Sequence, residues 1–363
     1  MNLSLPTLPE GLEKLIRRYL ELPDRPGTTG GTFRVHPLTP DGSDRRYFRI
    51  TASADRTFIA VDAAGTGPAS RFVSETGISQ NHTFIRVRDH LAGLGFPVPG
   101  LLARDSGYNY YLLEDLGDVT LYGEVVKRGL DEEVLADYRR ALALLVRLQV
   151  EAAAGFDPAW AYAGGFYDRK LLIEGELNYF SRAYVVEFCH GELSSLVGAG
   201  LEDEFARLAD AALRAPATFF LYRDFQSRNL MIRDGELRLI DFQGARLGPF
   251  YYDAAALIND PYTDLPLELR SELRNFYFSR LQEQLGAATP QRKEFDLYFD
   301  LFSLIRTLQT LGAFAFLSGR GKEHFRDYIP PARRNLEWTL DSLADRLPLP
   351  LLTRLSRELP LYS

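Results

Sequence analysis

The chain has 363 residues, 46% of them hydrophobic and 25% charged, an ordinary globular composition with enough length for two lobes. A net charge of -7 without any long basic run argues against a nucleic-acid partner. One cysteine, Cys189, excludes an intramolecular disulfide and suits a reducing cytoplasm, while five scattered histidines with no pair at metal-ligand spacing argue against a zinc site. The opening MNLSLPTLPEGLEK has neither the basic start nor the apolar core of a secretion signal, and no uninterrupted apolar run approaches ~18 residues, so no membrane span is expected.

Leu12, Leu15, Ile16, Tyr19 and Leu20 recur at helical spacing after Pro9, which predicts an amphipathic lead helix ended by Pro23 and Pro26. Strands are expected over Phe33–Leu38, Tyr47–Thr51 and Thr57–Asp62, with a turn at Pro40-Asp41-Gly42-Ser43. The loop from Asp41 to Arg46 has two readings. Gly42 and Ser43 would let backbone amides approach a phosphate, with Arg45 or Arg46 adding positive charge. The same residues would equally make a solvated turn with surface arginines. Strand alternation puts Arg46 on the face of Phe48 and Ile50, opposite Arg45, Tyr47 and Arg49. If the apolar face looks into a cleft, Arg46 points at what the cleft holds.

Further on, Thr83–Leu94 reads as an amphipathic helix closed by Gly93 and Gly95, and Leu101–Ala103 and Tyr110–Glu114 read as paired strands. Asp131 caps a long helix whose Val134, Leu135, Tyr138, Leu142, Leu145 and Leu148 form a core stripe. A second helix from about Asp168 carries Leu172, Leu177, Phe180 and Tyr184, with Glu174 and Glu176 expected on its solvated face. From Leu267 onward the chain is helical, interrupted at Gly286, Pro290, Gly319-Arg320-Gly321 and Pro330-Pro331; Arg306, Arg320 and Lys322 there belong either to a pocket or to the surface.

Between these helical regions lies the stretch that carries chemistry, FFLYRDFQSRNLMIRDGELRLIDFQ over Phe219 to Gln243. Leu230–Ile232 and Glu236–Ile240 read as a hairpin turned by Asp234-Gly235. The hairpin brings Asn229 and Asp241 to one end, with Asp224 a loop away. Phosphoryl transfer from ATP needs such a grouping, because hard oxygen ligands must hold Mg²⁺ against the phosphates and a separate carboxylate must take the acceptor's proton. Asp224 is the candidate base; Asn229 and Asp241 are the candidate metal ligands. The alternative is a surface hairpin with a capping Asp and a turn Asn.

YRDFQSRN over Tyr222–Asn229 and LIDFQ over Leu239–Gln243 resemble the catalytic and metal loops of the aminoglycoside phosphotransferase and choline kinase superfamily. With the Arg45-Arg46-Tyr47-Phe48-Arg49 run, they resemble in particular its branch of N-acetylmuramate/N-acetylglucosamine anomeric kinases. That resemblance implies an α+β, bilobal protein-kinase-like fold, with a small β-rich N-lobe (1–114) and a larger, mostly helical C-lobe (115–363). It favours the phosphate-binding reading of Ser43, Arg45 and Arg46, and makes the run ending Glu114-Asp115-Leu116 the hinge where backbone groups of Glu114 and Leu116 receive adenine. It also implies that Asp253 braces the catalytic loop and that Glu174 and Glu176 could meet an acceptor.

Two positions depart from the family's pattern. Tyr222 stands where a loop-bracing histidine is usual, and a Tyr hydroxyl could do similar work. Ile59-Ala60-Val61-Asp62 puts an aspartate in place of the phosphate-pairing lysine, and no helix glutamate is evident, Glu75 being the nearest candidate. The expected activity is ATP- and Mg²⁺-dependent phosphorylation of a small-molecule hydroxyl, a sugar's anomeric one, in the cytoplasm and without a protein partner. The rivals are an aminoglycoside or other small-alcohol kinase, a catalytically silent nucleotide-binding module, and a small protein kinase, which the missing lysine disfavours.

Overall fold

In the computed structural model, which describes residues 8–22, 33–38, 45–53, 56–65, 77–189 and 200–358, five strands make one antiparallel sheet in the order β1-β2-β3-β5-β4. They are β1 (Arg34–Leu38), β2 (Arg46–Ser53), β3 (Arg56–Asp62), β4 (Leu101–Arg104) and β5 (Tyr110–Glu114). The register sets Arg46 opposite Asp62, Tyr47 opposite Val61 and Phe48 opposite Ala60. Because successive side chains leave opposite faces, the sheet has two different sides. Phe48, Ile50, Phe58, Ala60 and Leu112 bury against Leu12, Leu15 and Ile16 of helix α1 (Glu10–Tyr19). Val61, Tyr111 and Leu113 belong to the main core, with Phe84, Ile85 and Leu91 of helix α2 (Gln80–Gly93) and with the second lobe.

The second lobe begins with α3 (Leu121–Arg128), which Thr120 caps by accepting from the Gly123 N–H at 2.9 Å. Asp131 caps α4 (Glu132–Glu151) through the Val134 N–H at 2.9 Å, and the stripe Val134, Tyr138, Leu142, Leu145 and Leu148 is fully buried. The helix 171–188 widens to i→i+5 hydrogen bonding over Leu171–Leu177 and Ser181–Phe188, a geometry found mostly at functional sites. It lies against the long helix Arg292–Gly319, where Gly312 lets the two approach: a Cβ there would meet the Phe180 Cα at 3.2 Å. Arg292–Gly319 is long and apolar enough to cross a membrane, yet 78% of its most apolar window is buried inside the protein, as in a core helix. Helix Tyr251–Ile258, buried along its whole length, packs against it and reaches the loop after Leu221 through Asp253.

Candidate active site

Strands β6 (Phe219–Leu221) and β9 (Arg246–Gly248) pair with each other, and β7 (Leu230–Arg233) with β8 (Glu236–Leu239). Asp234 and Gly235 take φ of +54° and +77° at the β7–β8 turn, the left-handed pair that a tight hairpin requires. Leu230 lies opposite Leu239, and the Ile240 N–H donates to the Asn229 carbonyl at 3.2 Å, so the open end of the hairpin holds Asn229 and Asp241 together. Asn229 Nδ2 donates to the Asp224 carbonyl at 2.8 Å and reaches Asp241 Oδ2 at 3.5 Å. Asp241 also accepts from Gln243 Nε2. Burial pushes the Asp241 carboxyl above its ordinary value, and the nearby Asp224 carboxylate pushes it further.

Two residues here hold positive φ without being glycine, Arg223 at +87° and Asp241 at +67°. Such backbone persists only where surroundings over-determine it. Asp253, fully buried, accepts from the Tyr222 N–H at 2.7 Å and the Arg223 N–H at 2.8 Å. Burial outweighs these two bonds and raises its carboxyl to about 7. The Tyr222 hydroxyl donates to the Ile240 carbonyl, tying the catalytic loop to the end of β8. Asp260, which drew no attention in the sequence, accepts from both the N–H and the Oγ of Ser227 at 2.8 and 2.6 Å. The Asp224 side chain itself is 38% exposed, with Arg306 Nη1 at 3.4 Å.

Around Asp224 the structure revises several expectations. Glu176, expected on a solvated face, has no exposure; it accepts from the Tyr167 and Tyr252 hydroxyls at 2.6 and 3.0 Å and pairs with Arg223 Nη1 at 2.8 Å. Glu176 stands four residues from both Leu172 and Phe180 and so shares their buried face, while Glu174 stays exposed. Arg306 is buried, bridging Asp224, Gln226 Oε1 at 3.2 Å and Gln309 Oε1 at 2.6 Å. Arg320 lies elsewhere, exposed over the Phe316 ring. Arg246, missed in the sequence, is buried and donates to the Gly244 and Ala163 carbonyls, both at 3.2 Å. Burial, and then Arg223, lower its guanidinium to about 10.

On the N-lobe side, the expectation that Arg46 points into the cleft is corrected. The Phe48–Ile50 face packs beneath α1, so Arg46 sits on the outer side, 60% exposed, with Nε donating to Asp62 Oδ2 at 2.8 Å. Asp62 therefore faces away from the cleft and meets no phosphate. Arg45 takes the inner side at 2% exposure, its Nε donating to Asn81 Oδ1 at 3.1 Å. Arg49 binds Asp115 Oδ2 at 2.8 Å and Asp118 Oδ1 at 2.9 Å across the hinge. The Glu114 carboxylate is held by Arg233 at 2.8 Å and the Gly100 N–H at 3.0 Å, and its own N–H donates to the Gly100 carbonyl at 2.8 Å. Leu116 is buried beside it. Ser43, with Gly42 and Glu75, lies outside the described residues.

Comparison with known proteins accords with this arrangement. A family model described as "Phosphotransferase enzyme family" matches residues 34–295. The chain is 30% identical over 302 residues to the N-acetylmuramate/N-acetylglucosamine kinase of Pseudomonas aeruginosa, covering 83% of this chain and 82% of that one. It is 27% identical to the enzyme of the same name from Neisseria meningitidis, covering 80% of each. Among solved structures, a choline kinase from Cryptosporidium parvum superposes with a TM-score of 0.58 at 14% identity, over 94% of this chain and 98% of that one, a likeness of fold. A bilobal α+β architecture with a braced, carboxylate-bearing loop at the lobe junction thus meets sequence identity over most of its length, and the chain belongs to the phosphotransferase enzyme family.

Proposed function

We propose that this phosphotransferase moves the γ-phosphoryl group of Mg·ATP onto the anomeric hydroxyl of an N-acetylhexosamine. The observation that carries the proposal is the junction of Asp224, Asn229 and Asp241 on loops held in strained backbone by Asp253, Tyr222 and Asp260. Asp224, the more exposed carboxylate, takes the acceptor's proton as that oxygen bonds to phosphorus and the bond to the ADP oxygen breaks. Asp241 and the Asn229 amide oxygen are hard donors that suit Mg²⁺. No group of three or more His, Cys, Asp or Glu side chains forms a metal cage among the described residues, which agrees with an ion completed by phosphate and water. When bound, that ion neutralises charge on the phosphates. Arg306 holds Asp224 in place, and Gln226 and Gln309 beside it offer neutral polar groups to an acceptor.

The choice of acceptor rests on the names of the two kinase relatives and on local charge. Arg306 stands directly beside Asp224, and a cation there suits a neutral or anionic sugar better than a polycation. A cytoplasmic location, with the lobes divided near Asp115, is part of this proposal; the single cysteine and the use of ATP support the location. The test is ADP release with N-acetylglucosamine, N-acetylmuramate, an aminoglycoside and choline, followed by mild acid treatment of the product. Sugar turnover with an acid-labile phosphate is expected. An acid-stable product would move the site of transfer, and turnover of aminoglycoside or choline alone would overturn the substrate class.

A further inference from the structure

The triphosphate of ATP needs a fixed cation besides the metal, and no lysine stands on β3 to supply it. Its inner face carries no charge: Thr57 bonds Asp115, Ile59 packs against the main core, and Val61 and, just beyond the strand, Ala63 are within it. Of the arginines on β2, Arg46 faces outward onto Asp62 and Arg49 is committed to Asp115 and Asp118. Arg45, immediately before β2, is the arginine nearest the cleft's phosphate end. It is inside the sheet at 2% exposure, its guanidinium 5.8 Å from the centre of the Phe84 ring. Phe84 in turn stacks on Phe242 at 5.0 Å and 11°, and Phe242 adjoins Asp241. Arg45 is thereby packed onto the same end of the cleft as Asp241, whose charge it feels.

The residue that aims Arg45 is also on the page. Asn81, in the first turn of α2 and buried, accepts from Arg45 Nε at 3.1 Å through Oδ1 and donates through Nδ2 to the Ala63 carbonyl at 3.1 Å. Both ends of the amide are in use, so its orientation is set: oxygen toward the arginine, nitrogen toward β3. A carboxylate at this position would set an oxygen against the Ala63 carbonyl and cancel part of the arginine's charge. An amide does neither.

We propose that Arg45 is the cation that pairs with the phosphates of ATP, and that Asn81 is its positioning residue, a neutral replacement for the lysine–glutamate pair of kinase folds. This rests on the reading of the cleft as an ATP site. A charge-assisted contact of this kind contributes about ten- to a hundredfold in affinity. It acts on the phosphates and leaves adenosine untouched.

The experiment measures equilibrium binding of Mg·ATP and of adenosine to the purified full chain, without acceptor, in wild type, Arg45→Ala, Arg45→Lys, Asn81→Ala and the Arg45→Ala/Asn81→Ala double variant. Arg45→Ala is expected to weaken ATP about ten- to a hundredfold with adenosine unchanged, and Arg45→Lys to lie between it and wild type. Asn81→Ala should weaken ATP in the same direction, and the double variant should be no weaker than Arg45→Ala alone, because Asn81 acts through Arg45. An unchanged ratio of ATP to adenosine affinity in Arg45→Ala, or in Arg45→Lys should the alanine variant fail to fold, overturns the phosphate assignment. Additive losses in the double variant overturn the positioning role. A wild-type chain that binds neither ligand overturns the ATP-site reading itself.

Discussion

At the scale of single residues, carboxylates with the same formula are set to different tasks by what surrounds them. Asp224 is partly open and held by Arg306, whereas Asp241 is pushed toward protonation by burial and by Asp224 itself. We therefore expect Asp224→Ala to lower turnover by at least about a hundredfold while Mg·ATP binding, followed by thermal shift, holds or improves. Near-wild-type turnover would sink the base assignment. Asp253 is the opposite case, a buried carboxyl that titrates at about 7 against an ordinary 3.8. Between those values the folded chain holds a proton that the unfolded chain has released, so this group's contribution to stability falls as pH rises from about 4 to about 7. Asp253→Asn lacks that titration and misdirects one N–H contact, costing roughly 1–3 kcal/mol. In urea unfolding, the wild type's advantage over Asp253→Asn should therefore be larger at pH 5 than at pH 8; a gap that does not change with pH would remove Asp253 from the account.

At the scale of elements, helix α1 decides which way the N-lobe sheet faces. Leu12 and Ile16 are fully buried against Phe48, Ile50, Phe58, Ala60 and Leu112, and this packing sends Arg46 out and Arg45 in. Truncating Ile16→Ala removes core contacts and leaves a cavity, at a cost of about 2–5 kcal/mol. It touches nothing in the C-lobe, so amides of β2 and β3 should lose hydrogen-exchange protection more than those of Tyr251–Ile258. Equal loss in both would mean that the lobes unfold as one unit. The widened helix 171–188 works similarly on the other side of the cleft. Glu176, on the face it shares with Leu172 and Phe180, meets Arg223, Tyr167 and Tyr252, where its charge alone suggests a solvated position.

At the scale of the whole molecule, ion pairs join the lobes around the hinge: Arg49 with Asp115 and Asp118, and Arg233 with Glu114. Inside the hinge, Arg45 and Phe84 of the first lobe meet Phe242 next to Asp241, while Asp224 stays 38% exposed. Both carboxylates would repel a bare triphosphate, so ATP should raise the melting temperature far less in EDTA than in Mg²⁺, and turnover should vanish with the metal and return when it is restored. ATP protection that is the same with and without Mg²⁺ would argue against Asp241 as a metal ligand.

Much of this was legible along the chain. The hairpin is local: Asp234-Gly235 takes the left-handed backbone its turn needs, and pairing across it holds Asn229 beside Asp241 whatever the rest of the protein does. Strand periods, the Asp131 cap and the α4 stripe are local too, while the two-lobed α+β fold is implied by the family resemblance that the loop motifs carry. What the sequence could not decide was direction. Alternation says that Arg45 and Arg46 leave opposite faces of β2, but which face meets the cleft depends on where α1 packs, a contact between segments some thirty residues apart. The acidity of Glu176 likewise suggests a solvated position, and its partners Arg223, Tyr167 and Tyr252 come from other segments; nothing local to Asp260 or Arg246 showed the loops they would support. Local geometry is encoded in neighbouring residues; the side on which a charge ends up is decided only when distant apolar surfaces choose each other.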